Sequence, residues 1–382
     1  MRIAYFTDTY LPNTDGVVSS ILNYRKELER RGHEVFIFSP GTKKQKKENT
    51  DEHVYYFTSA AFKPYPDYRI ALFNFFSPLK MVRERGIDVI HSHGIATTGL
   101  AAIQSSKKLK IPSIVTFHTL VPEAIHYISP HENMHSFLQN VAWKYLRWYY
   151  KHYPKILAPS RYARRILAEH GIENTELLPT GIDLEVFNAG VKPAAARKKF
   201  GLTDEPVVLY VGRLAKEKNI EILIEAAPSL LNLLPKTKFL LVGKGPAETY
   251  YKDLVRKKDL ESHFIFAGYI DAATLPSCYA AADVLAFPSK FDTQGLVVLE
   301  AMGTGLPAVV HKDSAAAEFV EDSKNGYLFS DNFDLYEKLK STIKEKKKLR
   351  PYVLETAEKY DMRKSVDRLL EIYQTLKTDH SR

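Results

Sequence analysis

The sequence is poor in cysteine and has no long apolar run. Among its 382 residues there is a single cysteine, Cys278, which excludes a disulfide framework and any all-cysteine metal site and is typical of a reducing compartment. No apolar stretch reaches the ~18 residues that a membrane-spanning helix needs. An acidic residue as early as Asp8 does not fit a secretory signal peptide. These absences predict a cytoplasmic protein without a transmembrane helix.

Glycine and proline are also few, at 18 and 20 residues, whereas 45% of the residues are hydrophobic. This composition excludes a disordered or fibrous chain. At ~100–200 residues per domain, the length predicts two domains, each with a sizeable core.

Acidic residues are scarce in one part of the chain. The whole sequence has 54 Lys and Arg against 45 Asp and Glu, a net charge of +9. Residues 101–170 contain ten Lys and Arg but only Glu123, Glu132 and Glu169, so this stretch alone carries +7. The excess predicts one surface that attracts anions, such as a membrane or phosphate groups. No nucleic-acid-binding module is recognisable, and the acidic candidate site residues disfavour nucleic acid as a partner.

Short β-branched or aromatic runs alternate with helical patterns along the chain. This alternation predicts an α/β fold with parallel sheets and helices on both faces. The pattern restarts after a small, Pro- and Gly-containing segment at 188–196. We therefore expect two tandem Rossmann-like, doubly wound domains with a ligand cleft between their strand C-terminal ends.

The domain boundaries follow from this restart. The N-terminal domain is predicted to span 1–188 and the C-terminal domain 189–359. A last helix at about 360–382 could pack back on the N-terminal domain.

Charged side chains follow the predicted strands of the second domain. Arg213 and Lys218 come straight after its first strand, where two cations suit a diphosphate, although a solvated turn would also tolerate them. Asp292 and Glu300 flank an apolar helical segment that starts near Gly295. Their carboxylates could accept hydrogen bonds from vicinal hydroxyls, and free N–H groups at the helix start would face the same anion. Alternatively, Asp292 is an N-cap and Glu300 an ordinary helical residue.

In the first domain, the candidates are a glycine and two histidine-bearing strand ends. Gly16 lies between the first strand and the first helix, where it could admit an anion or a sugar or simply make a tight turn. No G-x-G-x-x-G fingerprint of dinucleotide binding occurs here. His91 and His93 lie at the end of one strand and His118 after the next. Near neither strand end does a carboxylate lie at the sequence spacing that metal ligands usually have. A polar His118 that faces the cleft is therefore favoured over His118 as a zinc ligand.

Four longer phrases together resemble retaining glycosyltransferases of family four, which have the two-domain GT-B fold. They are APSRYARRIL at 158–167, PTGIDLEVF at 179–187, VGRLAKEKN at 211–219 and FDTQGLVVLEAM at 291–302. The resemblance covers nearly the whole chain. It implies hexose transfer from a nucleotide-sugar with retention of the anomeric configuration, by departure and attack on the same face. It also implies that no metal or other cofactor takes part.

The same resemblance implies that the N-terminal domain is the acceptor side and that the C-terminal domain binds the nucleotide-sugar. It also implies roles for the charged candidates. Arg213 and Lys218 would hold the nucleotide diphosphate and stabilise the departing charge. Glu300 would bind the ribose, and His118 would lie near the transferred sugar. Asp292 stands where the family usually has a Glu that contacts the donor hexose, so the identity of the sugar stays open.

The remaining donor-side candidates would act through the backbone. Gln294, Gly295 and Leu296 would offer N–H groups to the phosphates. Gly16 would admit the donor or acceptor near the diphosphate, and Gly245 would lie in a loop on the nucleotide side or in a mere turn.

Both tryptophans lie in one helical segment of the basic stretch. At ~100° per residue, Lys144, Arg147 and Lys151 fall within a ~60° arc, flanked by Trp143 on one side and Trp148 on the other. A basic stripe bracketed by indoles suits a helix at an anionic bilayer surface. The alternative is a helix with its aromatic residues in the core and its lysines solvated.

Within the family, FDTQG at 291–295 and the extended segment after His118, which includes 126–130, look most like diacylglycerol glucosyltransferases. The hypothesis is therefore α-glycosyl transfer from UDP-glucose to a membrane lipid such as diacylglycerol, by a protein peripherally associated with the cytosolic membrane face. An α-mannosyl- or glucosyltransferase acting on a phosphoinositol lipid or a water-soluble acceptor is the alternative. A non-catalytic nucleotide-sugar-binding protein is a third possibility, and the oligomeric state stays open.

Overall fold

The computed structural model of the protein contains two parallel sheets, and helices pack on each of them. It describes residues 1–62, 68–72, 76–122 and 132–380. Unit 1 comprises Met1–Thr180 and Met362–Arg382, and unit 2 comprises Gly181–Asp361. The predicted α/β class with two doubly wound units is confirmed. The extended segment at 126–130 lies outside the described residues.

The strands of unit 1 are β1 (Arg2–Phe6), β2 (Glu34–Gly41), β3 (Val54–Ala61), β4 (Arg69–Ala71), β5 (Val89–Ser92), β6 (Ser113–Thr116), β7 (Ile156–Ala158) and β8 (Thr175–Leu177). Its helices are α1 (Gly16–Arg30), α2 (Lys43–Glu48), α3 (Phe76–Glu84), α4 (Thr97–Leu109), α5 (His135–Tyr150), α6 (Arg161–Glu169) and, at the far end of the chain, α13 (Met362–His380).

The strands of unit 2 are β9 (Val207–Val211), β10 (Lys238–Val242), β11 (Phe264–Gly268), β12 (Val284–Phe287), β13 (Ala308–His311) and β14 (Gly326–Phe329). Its helices are α7 (Ala194–Phe200), α8 (Glu221–Leu233), α9 (Glu248–Lys257), α10 (Leu275–Ala281), α11 (Leu296–Gly303) and α12 (Asn332–Lys359).

The sheet of unit 1 has the strand order β4-β3-β2-β1-β5-β6-β7-β8. All neighbours pair in parallel except β3 and β4, which are antiparallel. β1 is buried on both faces, since Ile3 and Tyr5 belong to one apolar cluster and Ala4 and Phe6 to another. A strand covered on both faces reads as a continuous apolar run, which explains the sequence RIAYF.

α13 returns the chain to unit 1 and packs beside α1. Its buried residues Val366, Leu369 and Tyr373 share a cluster with Ile21 and Leu28 of α1. The core on this face of the unit 1 sheet is therefore built from both ends of the chain.

The border between the units lies between Thr180 and Gly181, earlier than the predicted border after residue 188. Leu178 packs in a cluster of unit 1, whereas Ile182 packs in the core of unit 2 and its N–H donates to the carbonyl of Tyr360 at 2.9 Å. The small residues at 188–196 lead into α7 and lie wholly inside unit 2. Their composition signals a turn within the unit.

The sheet of unit 2 has the order β11-β10-β9-β12-β13-β14, and all its strands are parallel. β9 is the central strand from which the chain first extends to one side, through β10 and β11, and then to the other. Such a reversal leaves a crevice at the carboxyl ends of the two strands beside it, here β9 and β12.

Replacing Leu369 by alanine should lower the free energy of unfolding by about 2–5 kcal/mol, because the side chain is fully buried against unit 1. Urea unfolding followed by circular dichroism measures the change. Gln374→Ala is the matched control, since this side chain is exposed on the same helix and should change stability by less than about 0.5 kcal/mol. Equal stability of the two variants would show that α13 does not contribute to the core.

Candidate active site

The crevice of unit 2 brings together two of the loops that the sequence singled out. Arg213 and Lys218 lie in the loop after β9, and Asp292 lies in the loop after β12. Lys218 Nζ lies 2.6 Å from Asp292 Oδ1, so an ion pair joins the two loops. The start of the first loop is also held, because the hydroxyl of Tyr210 donates to the carbonyl of Arg213 at 3.0 Å.

The carboxylate of Asp292 is only partly used by this ion pair. Its Oδ2 atom is buried and has no hydrogen-bond partner among the described residues. Leaving a buried carboxylate oxygen without a donor costs free energy. A hydroxyl group of a bound molecule could satisfy this oxygen, and this is the chemistry expected of a sugar-binding carboxylate.

The N-terminus of α11 adjoins Asp292 and is not capped by a side chain. Gly295, at the N-cap, has φ +88°, and a Cβ there would lie 2.7 Å from the Cβ of Ala316. Both the left-handed backbone conformation and the lack of room for a side chain therefore require glycine. Gln294 is buried beside it and Leu296 begins the helix. First-turn N–H groups without a side-chain cap carry a partial positive charge and can bind an anion.

Glu300 lies one turn further along α11 and is held by a tyrosine of α10. The hydroxyl of Tyr279 donates to Glu300 Oε2 at 2.5 Å, and Tyr279 is fully buried with its ring edge-on to Phe187. Burial raises the pKa of Glu300, and the hydrogen bond from Tyr279 partly counteracts this increase. Glu300 is therefore not an ordinary solvated helical residue. Tyr279 is absent from the residues predicted from sequence, although its hydroxyl stands out in the otherwise small and apolar segment LPSCYAA.

Two glycines position the loop after β10 against the loop after β9. The N–H of Leu214 donates to the carbonyl of Lys244, and the N–H of Ala247 donates to the carbonyl of Leu214. Gly243 has φ +135°, and a Cβ there would lie 1.9 Å from the carbonyl oxygen of Gly212. A Cβ at Gly245 would lie 2.3 Å from the Leu214 oxygen, so packing alone accounts for glycine at 245.

In unit 1, His118 meets another histidine where β5 and β6 end side by side. His118 Nε2 lies 2.8 Å from His93 Nδ1, and the His118 side chain is partly exposed whereas His93 is buried. Burial lowers the pKa of His118 to about 4 and holds the pKa of His93 well below its usual value. Both imidazoles are therefore neutral near pH 7.

Gly16 begins α1, but the N-terminus of this helix is already occupied. The carboxylate of Asp15 accepts hydrogen bonds from the N–H groups of Val17 and Val18 at 2.9 and 3.0 Å. These two N–H groups are therefore already paired, which argues against an anion bound by them, one of the ligands expected beside Gly16. A Cβ at Gly16 would meet no described atom within 4 Å, and the backbone there does not have a left-handed φ. Nothing in the described residues requires glycine at this position.

Comparison with known proteins decides the family. Residues 14–186 match the profile "Glycosyltransferase Family 4", and residues 193–360 match "Glycosyl transferases group 1". The alpha-monoglucosyldiacylglycerol synthase of Acholeplasma laidlawii is 33% identical over 352 residues, which cover 89% of this chain and 87% of that protein. The chain belongs to glycosyltransferase family 4.

Among the other relatives of this glycosyltransferase, one has the same name and others have different names. The alpha-monoglucosyldiacylglycerol synthase of Streptococcus pneumoniae is 31% identical, covering 88% of this chain and 76% of its own. A GDP-mannose-dependent alpha-mannosyltransferase of Corynebacterium glutamicum is 26% identical, covering 86% and 76%. The sucrose-phosphate synthase of Thermosynechococcus elongatus has the same fold, with a TM-score of 0.80 at 22% identity and 99% coverage of both chains. The GT-B fold class expected from the resemblance is confirmed.

The basic helix of the glycosyltransferase is α5, and it presents a different face from the predicted one. Trp143 is only 6% exposed, because its indole stacks on the ring of His170 with 3.7 Å between centroids. The prediction that Trp143 borders the exposed stripe is therefore wrong. Lys144, Arg147 and Lys151 are exposed as expected, and Trp148 is 49% exposed. The opposite side is buried, through the side chains of Leu146, Tyr149, Tyr150 and Tyr153.

Two apolar residues that were not predicted from sequence complete this exposed face. Phe137 is 65% exposed and Val141 is 49% exposed. At ~100° per residue they share an arc of about 80° with Lys144, Trp148 and Lys151, and these five side chains are called the α5 face below. Phe137 and Val141 are four residues apart, and Val141 and Trp148 are seven apart, which is the spacing of one helix face. This pattern could have been recognised in the sequence, but it begins about one turn before the segment that contains the two tryptophans.

Metal ligands and membrane-spanning helices are both absent from the part of the chain that the structure describes. These residues contain no group of three or more His, Cys, Asp or Glu side chains placed to hold a metal ion. Within the same ranges, no helix combines the length and the apolar character that crossing a bilayer requires.

Replacing Gly243 by alanine should destabilise unit 2 by about 3 kcal/mol or more, because the new Cβ would overlap the Gly212 carbonyl in a left-handed backbone conformation. Differential scanning calorimetry measures the shift in melting temperature. Gly16→Ala is the matched control, and it should keep or slightly raise the melting temperature, since alanine favours the helix and meets no described atom. A Gly243→Ala protein that melts like the wild type would refute the packing of these loops.

Proposed function

We propose that this glycosyltransferase moves glucose from UDP-glucose to diacylglycerol at the cytosolic face of a membrane, with retention of the anomeric configuration and without a metal. The observation that carries the proposal is the crevice between β9 and β12. There, cationic side chains follow one strand and an uncapped helix N-terminus follows the other. The names of the relatives from A. laidlawii and S. pneumoniae support glucose as the sugar and diacylglycerol as the acceptor.

The donor diphosphate would lie between the loop after β9 and the start of α11. Arg213 can offer a bidentate guanidinium and Lys218 a single ammonium, and the first-turn N–H groups of α11 add partial positive charge. Together these groups would stabilise the negative charge that develops on the departing diphosphate, which is the task a metal ion performs in other enzymes. Glu300, held by Tyr279, would accept hydrogen bonds from the ribose hydroxyls.

The sugar would be bound beside Asp292. Its unpartnered Oδ2 is an acceptor for a hydroxyl of the hexose, whereas Oδ1 stays paired with Lys218. In the transfer, the bond from C1 of glucose to the diphosphate oxygen breaks, the acceptor hydroxyl forms the new bond to C1 on the same face, and its proton passes to the departing diphosphate oxygen. We assign no protein nucleophile, and Asp292 acts as a binding group.

The acceptor side would lie on unit 1, and the α5 face supports a lipid acceptor. Three exposed apolar residues, Phe137, Val141 and Trp148, alternate along this face with Lys144 and Lys151. The chain has no Asp or Glu from residue 133 to residue 168, so no acidic side chain on α5 opposes an anionic surface. Apolar side chains inserted at the headgroup level and cations at the phosphates are the two attractions that hold an interfacial helix.

An activity screen tests the reaction. The purified protein would be incubated with radiolabelled UDP-glucose or GDP-mannose, each with diacylglycerol micelles, phosphatidylinositol micelles or no lipid. We expect label in the organic phase only with UDP-glucose and diacylglycerol, and an α-linkage by proton NMR of the product. Transfer from GDP-mannose, to which the C. glutamicum relative points, or transfer without lipid would refute the proposed donor or acceptor. Donor binding without transfer to any acceptor would indicate a non-catalytic binding protein.

Substitutions in the loop after β9 test the diphosphate site. Lys218→Met and Arg213→Met should each lower kcat/KM for the donor by about 100-fold or more, since each removes a charge that stabilises the leaving group. Lys216→Met is the matched control. Lys216 is exposed in the same loop, with its Nζ 4.2 Å from the ring centroid of Tyr250, and its loss should change kcat/KM by less than about threefold. Similar losses in all three variants would contradict the assignment.

Vesicle flotation tests the α5 face. Phe137→Ser should weaken binding to vesicles containing phosphatidylglycerol by about 10- to 100-fold, because one buried aromatic side chain is worth about 1.5–3 kcal/mol. Lys144→Glu combined with Lys151→Glu should weaken it about 30-fold, but only on anionic vesicles. Phe333→Ser and Lys347→Glu alter exposed residues of the same types in unit 2 and serve as controls. Binding that is unaffected by the α5 substitutions would exclude this face as the docking surface.

A further inference from the structure

His93 and His118 are joined by a hydrogen bond, and the structure indicates which of the two ring nitrogens carries the shared proton. His93 Nδ1 and His118 Nε2 lie 2.8 Å apart, so one nitrogen must donate and the other must accept. Because both imidazoles are neutral near pH 7, each ring carries one proton. Two arrangements remain, and they differ in which nitrogen of His118 is left protonated.

The outer nitrogen of His93 distinguishes the two arrangements. His93 Nε2 is buried and has no hydrogen-bond partner among the described residues. If His93 Nδ1 accepted the bond, the ring proton of His93 would lie on Nε2 as a buried N–H without an acceptor. Buried N–H groups without a partner are rarer in proteins than acceptors with unused lone pairs. The favoured arrangement therefore has the proton on His93 Nδ1, which donates to His118 Nε2.

The ring of His93 is held in place by its neighbours. It lies against Tyr5 and His91, with centroids 4.5 and 4.1 Å away. His91 is itself fixed at both nitrogens, since Nδ1 lies 2.6 Å from the hydroxyl of Tyr373 and Nε2 lies 2.7 Å from the hydroxyl of Thr116. His91 thus satisfies its own hydrogen bonds, whereas His93 has His118 as its hydrogen-bond partner.

We propose that His93 is a positioning residue that holds His118 in the Nδ1–H tautomer, so that His118 does not serve as the base that deprotonates the acceptor hydroxyl. In this state the lone pair of His118 Nε2 is occupied by the N–H of His93, and Nδ1 carries the ring proton. His118 then has no free lone pair with which to remove a proton from the acceptor hydroxyl. Its contribution to transfer would come from the fixed orientation of its ring and not from removal of a proton.

The tautomer is a property of the protein alone, whereas the effect on transfer rests on the proposed function. The first test therefore uses the unliganded full chain, labelled with ¹⁵N-histidine, and reads the ring nitrogens by two-bond proton–nitrogen correlation NMR. The signals of His118 are identified by their absence in His118→Asn. We expect a protonated Nδ1 and a bare Nε2. A protonated Nε2 in His118 would overturn the proposal, whatever reaction the protein catalyses.

Two variants of His93 test the effect on transfer. In His93→Asn the amide nitrogen can take the place of Nδ1 as donor, whereas His93→Phe keeps a ring but donates nothing. We expect His93→Phe to lower kcat about tenfold with KM for the donor nearly unchanged, and to give mixed tautomers of His118. His93→Asn should keep the tautomer and recover most of the rate.

Equal losses of kcat in the two variants would overturn the positioning role. Thermal unfolding of each variant identifies a loss that comes from misfolding. If His93→Phe does not fold, comparison of His93→Asn with the wild type still tests the proposal. A His93→Asn protein in which the His118 tautomer changes while the rate stays the same would refute it.

Discussion

The first strand of each unit is buried on both faces, and this constraint decides where chemistry can occur. Residues Ile3–Phe6 and Val207–Leu209 are fully buried, so a charged side chain within them would lose its hydration without compensation. Charged groups can therefore gather only where these two strands end. In a parallel sheet all carboxyl ends lie at one edge, and loops distant in sequence meet there. Lys218 and Asp292 are 74 residues apart along the chain and form an ion pair for this reason.

The two strand-end regions are electrostatically different. In unit 2, α11 begins without a side-chain cap and stands beside cationic residues, so the region attracts negative charge. In unit 1, Asp15 caps α1, and Asp8 accepts hydrogen bonds from the N–H groups of Ile95 and Ala96 at the start of α4. The histidines there are neutral. A region whose helix termini already hold carboxylates suits an uncharged reactant.

Much of the fold and of the donor site could be predicted from local sequence. Apolar runs revealed the central strands, and candidate residues such as Arg213 and Asp292 were recognisable because they directly follow strands. Side-chain partnerships were not predictable, since Glu300 and Tyr279 meet only through the packing of α10 on α11. The tryptophans of α5 show the same limit. A helical wheel places Trp143 and Trp148 on either side of a stripe, but the ring of His170, outside the helix, decides that only Trp143 is covered.

The return of α13 to unit 1 affects the order in which the protein can fold during synthesis. Unit 1 needs Val366, Leu369 and Tyr373 to cover β1 and α1, and these residues leave the ribosome only after all of unit 2. Until then the apolar side chains of α1 that face α13 stay exposed, although most of the first sheet has been made. Unit 2 is a continuous stretch of chain and has no such delay. The N-terminal half of the chain is thus the later of the two to complete its core, and would be the part most open to chaperones and proteases on the ribosome.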